Sequence, residues 1–512
     1  MTRAARGLGL AAFLVFAYTL IITPHATAQS SQPDAYVYVL PNNNGTPPEG
    51  PSVTLYDTAS NGSLTKVGVY PLYSTENTLI GGNGSYLFAA AENNPTIAGE
   101  TSIDSYPVSS NGALGSRAET IDTDAYAGSG SGCSNDTILS AKLDHTGHYM
   151  FVRTINQDAQ SPSDVCDEWQ TYQIANNGLL TYIGNEASPL IGYLETVGSS
   201  DEFSYGTSEG SACGSVSGQQ NTGPQFYPYS RTSDYVLSYD HNFTHTDPSG
   251  TPSTAYTLWS SADPAGHLAV LMGNCNNSYG LPPSIASYSI NAKTGAISST
   301  NSWSSLPTST VNSDLPVNAQ TPMFTSMSST GDLLAVVGGG FQVFHFNGAS
   351  PLTPYTSLQI GTAEIRQAAW DNDNHFYTLD WFTGQIQVYT VTPTSLTQAP
   401  GSPMSVNAGD MVVVSNTQFC APPTTNGVNV CSPAEGSTVT SPFTVSAGAY
   451  ISGGIYRFEL WNGSTNSVKL LSEDNGIMTG TVSLAPGDYD LIFDARNTAG
   501  QHYYKLQKVT VK

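Results

Sequence analysis

Basic residues are scarce in this chain, with 15 Lys+Arg against 39 Asp+Glu in 512 residues and a formal net charge of -24. The shortage is local. From Ser30 to Pro423 there are 7 Lys+Arg and 32 Asp+Glu, whereas Thr424 to Lys512 carries 6 and 7. A surface so acidic repels nucleic acid and anionic membranes, and it lowers the local concentration of phosphorylated substrates. Cations, neutral glycans and basic partners remain permitted. Long apolar runs are missing as well, since Leu8–Ile22 is shorter than a membrane helix needs and no later segment exceeds it. No CxxC occurs among the six cysteines, which excludes a thioredoxin-like redox motif. GSGSG at Gly128–Gly132 lacks the Lys and helix of a phosphate loop, and no Gly-x-Ser-x-Gly nucleophile elbow stands between a strand and a helix.

What is abundant is a pair of repeated phrases. One is an alternating aromatic strand, a Gly-bearing turn and a Leu or Ile: YDTASNGSL from Tyr56, YPVSSNGAL from Tyr106, YQIANNGLL from Tyr172 and YSINAKTGAI from Tyr288. Looser copies start at Phe344 and Tyr389. Such a turn needs φ > 0 and signals a β-hairpin. The other phrase lies upstream and joins a polar turn to a strand: GGNGSYLFAA from Gly81, DHTGHYMFV from Asp144, GSSDEFSYG from Gly198, DPAGHLAVL from Asp263, SSTGDLLAVV from Ser328 and DNDNHFYTL from Asp371. Together they predict four-stranded units repeated around a ring. Ala35–Leu40 lacks an upstream partner, and Met411–Asn416 is expected to supply it, closing the ring with strands from both ends. Seven units result. The fourth has its third strand at Pro224–Ser230 without an Asn-Gly turn, so six units are the alternative. The expected class is all-β, a seven-bladed β-propeller at 30–420.

Residues 1–28 read as a signal peptide, with Arg3 and Arg6, an apolar core from Leu8 to Ile22 and a small-residue cleavage site at Ala26–Ala28. The mature protein is therefore expected to be secreted, periplasmic or at the cell surface, with no membrane span once the signal is removed; an uncleaved anchor is the alternative. Exported cysteines favour disulfides. The blade map brings Cys133 near Cys166 and Cys213 near Cys275, while Cys420 and Cys431 flank a Pro-rich linker at 421–431. From 432 to 512 the strands recur at about 10-residue intervals between Pro/Gly turns, as in a small β-sandwich.

The sandwich segment, through Leu484-Ala-Pro-Gly487-x-Tyr489-x-Leu491 followed by Asp494-Ala-Arg496-Asn497, resembles the Ig-like modules of bacterial secreted and surface proteins. The repeated phrases, chiefly TGHYMFV, AGHLAVL and YQIANNGLL, resemble the seven-bladed lactonase-like propellers, which include 6-phosphogluconolactonase-type and muconate-cycloisomerase-type members. The resemblance implies the fold and offers lactone hydrolysis as an option, but no catalytic motif of the family is matched residue by residue.

Lactone opening needs a base or activated water, a donor for the oxyanion and, for an anionic lactone, basic anchors. Arg153 and Arg366 are the candidates able to reach the central mouth; the alternative is surface or channel ion pairing, Arg366 with Glu364 two residues away on the same strand face. Glu76, Asp136, Glu195, Glu364 and Asp410 fall near the start of a blade's first strand, where converging carboxylates could recruit Ca²⁺. Strand-end carboxylates facing water are the alternative. Asp240, His241, His245 and Asp247 imitate a zinc motif but lie on predicted strand or loop, and DNDN at Asp371–Asn374 reads as a blade turn. The expected function is binding of an extracellular ligand, protein or glycan. The alternatives are a secreted lactonase and a glycan-binding protein.

Overall fold

The computed structural model describes residues 33–512 apart from 43–51, 74–75, 93–100, 110, 124–135, 145–146, 157–166, 176, 188–192, 198–202, 208–222, 232–235, 241, 264, 275–282, 312–323, 358, 360–363, 381, 393–394, 416–422, 424, 440, 442, 453–454, 465–467, 474–475 and 498. The expected signal peptide, five of the six cysteines and Gly128–Gly132 lie outside the described residues. Cys431 is disulfide-bonded. Among the described residues the regular elements are strands, with a short 3-10 turn at Trp303–Ser305.

Seven sheets of four or five strands occupy the chain from Ala35 to Ser415. Six of them are led by Glu76–Gly82, Asp136–Leu143, Tyr193–Val197, Ala255–Ala262, Phe324–Met327 and Ile365–Trp370. In each of these the next strands follow as an antiparallel meander. The remaining sheet, first in the chain, takes its lead strand from far downstream. Ala408–Ser415 pairs antiparallel with Ala35–Pro41, Val37 opposite Val413, and Ser52–Thr58 and Leu64–Pro71 complete that sheet. The fourth sheet places Phe226–Arg231 between Phe203–Thr207 and Leu237–Tyr239.

The upstream phrase forms the turn between lead strand and second strand, and in five of the sheets a side chain of the phrase closes it. Asn83 Oδ1 accepts the N–H groups of Ser85 and Tyr86 at 3.1 and 2.9 Å, and Asp144 accepts those of His148 and Tyr149 at 2.9 and 3.0 Å. Asp263 takes Ala265 and His267 at 3.0 and 2.7 Å, while Asp371 takes Asp373 and His375 at 2.9 and 2.8 Å. These are side-chain-closed turns of the kind Asn and Asp favour.

Seven apolar clusters join the sheets, one between each consecutive pair and one between the seventh sheet and the first. The two repeated phrases meet at these joints. Gly112 of the second sheet has φ +76, and a Cβ there would enter the Tyr36 ring of the first. Gly178 stands in the same way over Tyr86, and Gly295 over Phe203. At Gly348 and Gly62 the rings are His267 and His375, and an added Cβ would stand 3.0 and 3.2 Å from them. Asp263 and Asp371 hold those two imidazoles through Nδ1 at 2.8 and 2.7 Å. At Gly112, Gly178 and Gly295 glycine is favoured twice over, for its backbone conformation and for the ring that lies against it.

Between Gly427 and Val511 the strands form a three-stranded and a five-stranded sheet around a separate apolar cluster that includes Phe443, Phe458, Leu460, Phe493 and Val509.

Candidate functional site

Five of the seven lead strands carry one extra residue relative to their partners. The inserted residues are Ile80, Leu139, Leu258, Arg366 and Gly409, read from the register breaks in those ladders. A bulge bends its strand and re-aims the inserted side chain, which is why bulges gather at barrel rims and functional sites. Four of the inserted residues are apolar or glycine. Arg366 is the charged one.

Arg366 is also held in place. Its Nε donates to Glu364 Oε1 at 3.1 Å, so the acid expected as its partner is its partner. Glu364 is fully buried, and its Oε2 has no hydrogen-bond partner among the described residues. The Arg366 side chain retains 34% exposure. The pair therefore presents a braced guanidinium in front of a buried carboxylate oxygen.

Behind it runs a polar seam. Asp410 Oδ2 accepts the Leu79 N–H at 2.6 Å, and Oδ1 accepts the Met411 N–H at 2.7 Å. Gln367 donates Nε2 to Asp410 Oδ1 and accepts the same Met411 N–H at 2.7 Å. Burial pushes the Asp410 carboxyl above its ordinary range, against the lowering effect of these three donors. The lead strands of the seventh, first and second sheets are thus stitched together by two side chains. No motif in the sequence singles out Gln367, because its partners come from residues 43 and 44 positions away.

Glu76, Asp136 and Glu195 begin or lie within lead strands, and their side chains fall outside the described residues. Both oxygens of Asp410 are already engaged and Glu364 has one oxygen left. The described part of the carboxylate set is therefore a poor match to the six to eight oxygen ligands Ca²⁺ takes. Among the described residues no group of three His, Cys, Asp or Glu could hold a metal ion. His245 meets Asp247 at 3.4 Å, and Asp247 also accepts the Tyr288 hydroxyl at 3.0 Å. Asp371 of the DNDN turn is spent on that turn, on His375 and on the Tyr377 hydroxyl.

Two other arginines of the propeller serve the framework. Arg117 meets the buried Asp104 at 3.4 Å and lies 3.6 Å over the Tyr73 ring. Arg231 meets the buried Asp144 at 3.1 Å and lies over Tyr149 and Phe151, joining the fourth sheet to the third. Arg153 is 9% exposed within the Tyr149–Asn156 strand.

Among solved structures, a Bacteroides uniformis protein provisionally described as a 6-phosphogluconolactonase is similar over 75% of this chain and 100% of its own, with 12% identity and a TM-score of 0.50. The chain has an all-β fold of the β-propeller kind. At that identity the likeness concerns the fold alone. The β-propeller domain of the Trilobed protease from Pyrococcus furiosus matches 73% of the chain and 95% of its own length, at 10% identity and a TM-score of 0.39. Fibronectin(III)-like modules of Clostridium thermocellum CbhA match 17% of the chain and 94% of their own length, at 22% identity and a TM-score of 0.15. Neither of these two likenesses is close enough to argue from. No family model matches the propeller or the tail, and no curated protein matches the chain.

Proposed function

We propose that this is an exported, seven-bladed propeller with an Ig-like C-terminal module, which acts by binding an extracellular ligand at the axial mouth around Arg366. The observation that carries the reading is the placing of Arg366. Arg366 is the charged residue inserted in a lead strand, the buried Glu364 holds its Nε, and its side chain is 34% exposed. One oriented guanidinium suits a ligand with a single acceptor, such as a neutral glycan or a sugar acid. A phosphorylated lactone carries more charge than one guanidinium matches, and the acidic surface repels it.

A second reading is favoured by one feature of the same pair. The partnerless Glu364 oxygen would take a proton from a water admitted with the substrate as the oxygen of that water bonds to the lactone carbonyl, Arg366 would stabilise the oxyanion, and the proton would pass to the ring oxygen as the acyl C–O bond breaks, which completes hydrolysis of an unphosphorylated lactone. Thermal-shift measurements with 6-phosphogluconate, unphosphorylated sugar acids and neutral oligosaccharides test the binding reading. The expected result is a shift with an unphosphorylated ligand that disappears in Arg366→Ala. A shift with 6-phosphogluconate, or one indifferent to Arg366→Ala, contradicts it.

A further inference from the structure

The C-terminal five-stranded sheet turns Phe458, Leu460, Leu491, Phe493 and Ala495 into its core. The alternate residues form three rows on the opposite face, fixed by register. One row is Arg457, Arg496 and His502, the next is Glu459, Asp494 and Tyr504, and the third is Trp461, Ile492 and Leu506. Tyr504 is 66% exposed and Leu506 41%, so this face is open to solvent.

Its construction is unusual for a surface. Glu459 and Asp494 are buried at 3% and 6% exposure, yet both sit on the outward face, under a canopy of bases. Arg496 places Nε and Nη2 on one Asp494 oxygen at 2.8 and 2.5 Å, and His502 meets the other at 3.4 Å. Arg457 and Lys469 meet Glu459 at 3.5 and 4.0 Å. The carboxylates fix the cations while Arg457, Lys469 and Arg496 stay about half exposed. Arg496 still has its Nη1 donors to offer. Beside them the His502 and Tyr504 rings lie nearly parallel, 6.3 Å apart with 19° between their planes. A second exposed tyrosine, Tyr456, has the Arg457 guanidinium 5.5 Å above its ring.

We propose that this face binds an acidic polysaccharide, sugar rings packing on Tyr504 and His502 while uronate carboxylates meet Arg496, Arg457 and Lys469. Charge selects the class. In these three rows the exposed charges are basic, Arg457, Lys469 and Arg496, because Glu459 and Asp494 are buried beneath them, whereas Lys505 stands opposite the core residue Phe493. The mixture of groups selects sugar over protein. Charged residues are depleted from the core of protein–protein interfaces, whereas here they surround every exposed ring. A pyranose presents an apolar C–H face to an aromatic ring and polar groups at its edge, which is the pattern these rows match.

Affinity electrophoresis of the full-length protein decides the matter, with polygalacturonate, neutral dextran and polyglutamate as probes. Retardation by polygalacturonate and not by dextran is expected, weakening as salt is raised. Tyr504→Ala should weaken it about fivefold, since one lost ring contact is worth on the order of 1 kcal/mol, and Tyr504→Phe should retain it. Lys469→Ala, at another exposed position, should weaken it too. No retardation by polygalacturonate overturns the proposal, as does retention of full binding in both Tyr504→Ala and Lys469→Ala. Equal retardation by dextran removes the role of charge, and equal retardation by polyglutamate assigns the face to acidic peptides instead; either outcome rejects the acidic polysaccharide.

Discussion

Replacing Gly112 with alanine tests the joint between sheets most sharply. Two costs arise from the structure. At φ +76 an alanine occupies the left-handed region, for about 1–2 kcal/mol. Its Cβ also enters the Tyr36 ring, and Tyr36 is 4% exposed and cannot swing away freely. Forcing a packed side chain aside costs a further 1–3 kcal/mol, roughly. Gly84 provides the control, because it has φ +85 but nothing within 4 Å of an added Cβ. Gly84→Ala should therefore cost only about 1–2 kcal/mol. Equilibrium urea unfolding of both variants measures the difference, which is expected to be about 1–3 kcal/mol. Trimming the ring with Tyr36→Ala in the Gly112→Ala background should make the two changes cost less than their sum. Equal losses at Gly84 and Gly112, or strictly additive losses with Tyr36, would refute the reasoning.

Three other outcomes are expected. Asp410→Ala leaves the Leu79 N–H and the Gln367 amide without their acceptor, so it should lower stability by about 2–4 kcal/mol in urea titration; a loss under about 1 kcal/mol would mean the seam is redundant. Stability should peak in mild acid. The hydrogen bond to Asp263 raises His267, and at His375 burial opposes a rise that the bond and charge of Asp371 carry through. That stabilisation is complete below about pH 6.5 and is lost as pH climbs through the raised values. Burial raises Asp34, Asp57, Asp373, Glu119 and Asp410, whose contribution likewise fades as pH rises above about 4, so melting temperature should be higher at pH 5 than at pH 8. The opposite order would contradict the assignment. Peptide mapping without reduction should return Cys133–Cys166, Cys213–Cys275 and Cys420–Cys431; a crossed pair such as Cys133–Cys275 would overturn the blade map.

Local chemistry is readable in the sequence, and distant chemistry is not. Asp144, Ser328 and Asp371, which open their upstream phrases, close turns within five residues, so a short window contains both partners. Glu364 and Arg366 are legible for the same reason. The far strand Ala408–Ser415 can be assigned because Ala35–Leu40 needs a neighbour and its apolar run fits. The joints are hidden. Each phrase looks complete within its own sheet, yet Gly112 and Tyr36 meet across two sheets, 76 positions apart. Asp410 reads as a ligand because the donors it serves are invisible in sequence, and Leu79 lies 331 residues away. The inserted residue in the lead strands also defeats a strict period of two. It changes which face each following side chain takes, and it is what singles out Arg366. The outward rows of the C-terminal sheet depend on the register of three strands at once.

The central claim is that Arg366 and Glu364 hold a ligand without turning it over. Its most direct test is a lactone-hydrolysis assay on the purified wild-type protein, with phosphorylated and unphosphorylated sugar lactones, beside Arg366→Ala and Glu364→Gln. Hydrolysis at the spontaneous rate is expected for all three proteins. Turnover by the wild type that is abolished in Arg366→Ala or Glu364→Gln would contradict it and make the protein a lactonase.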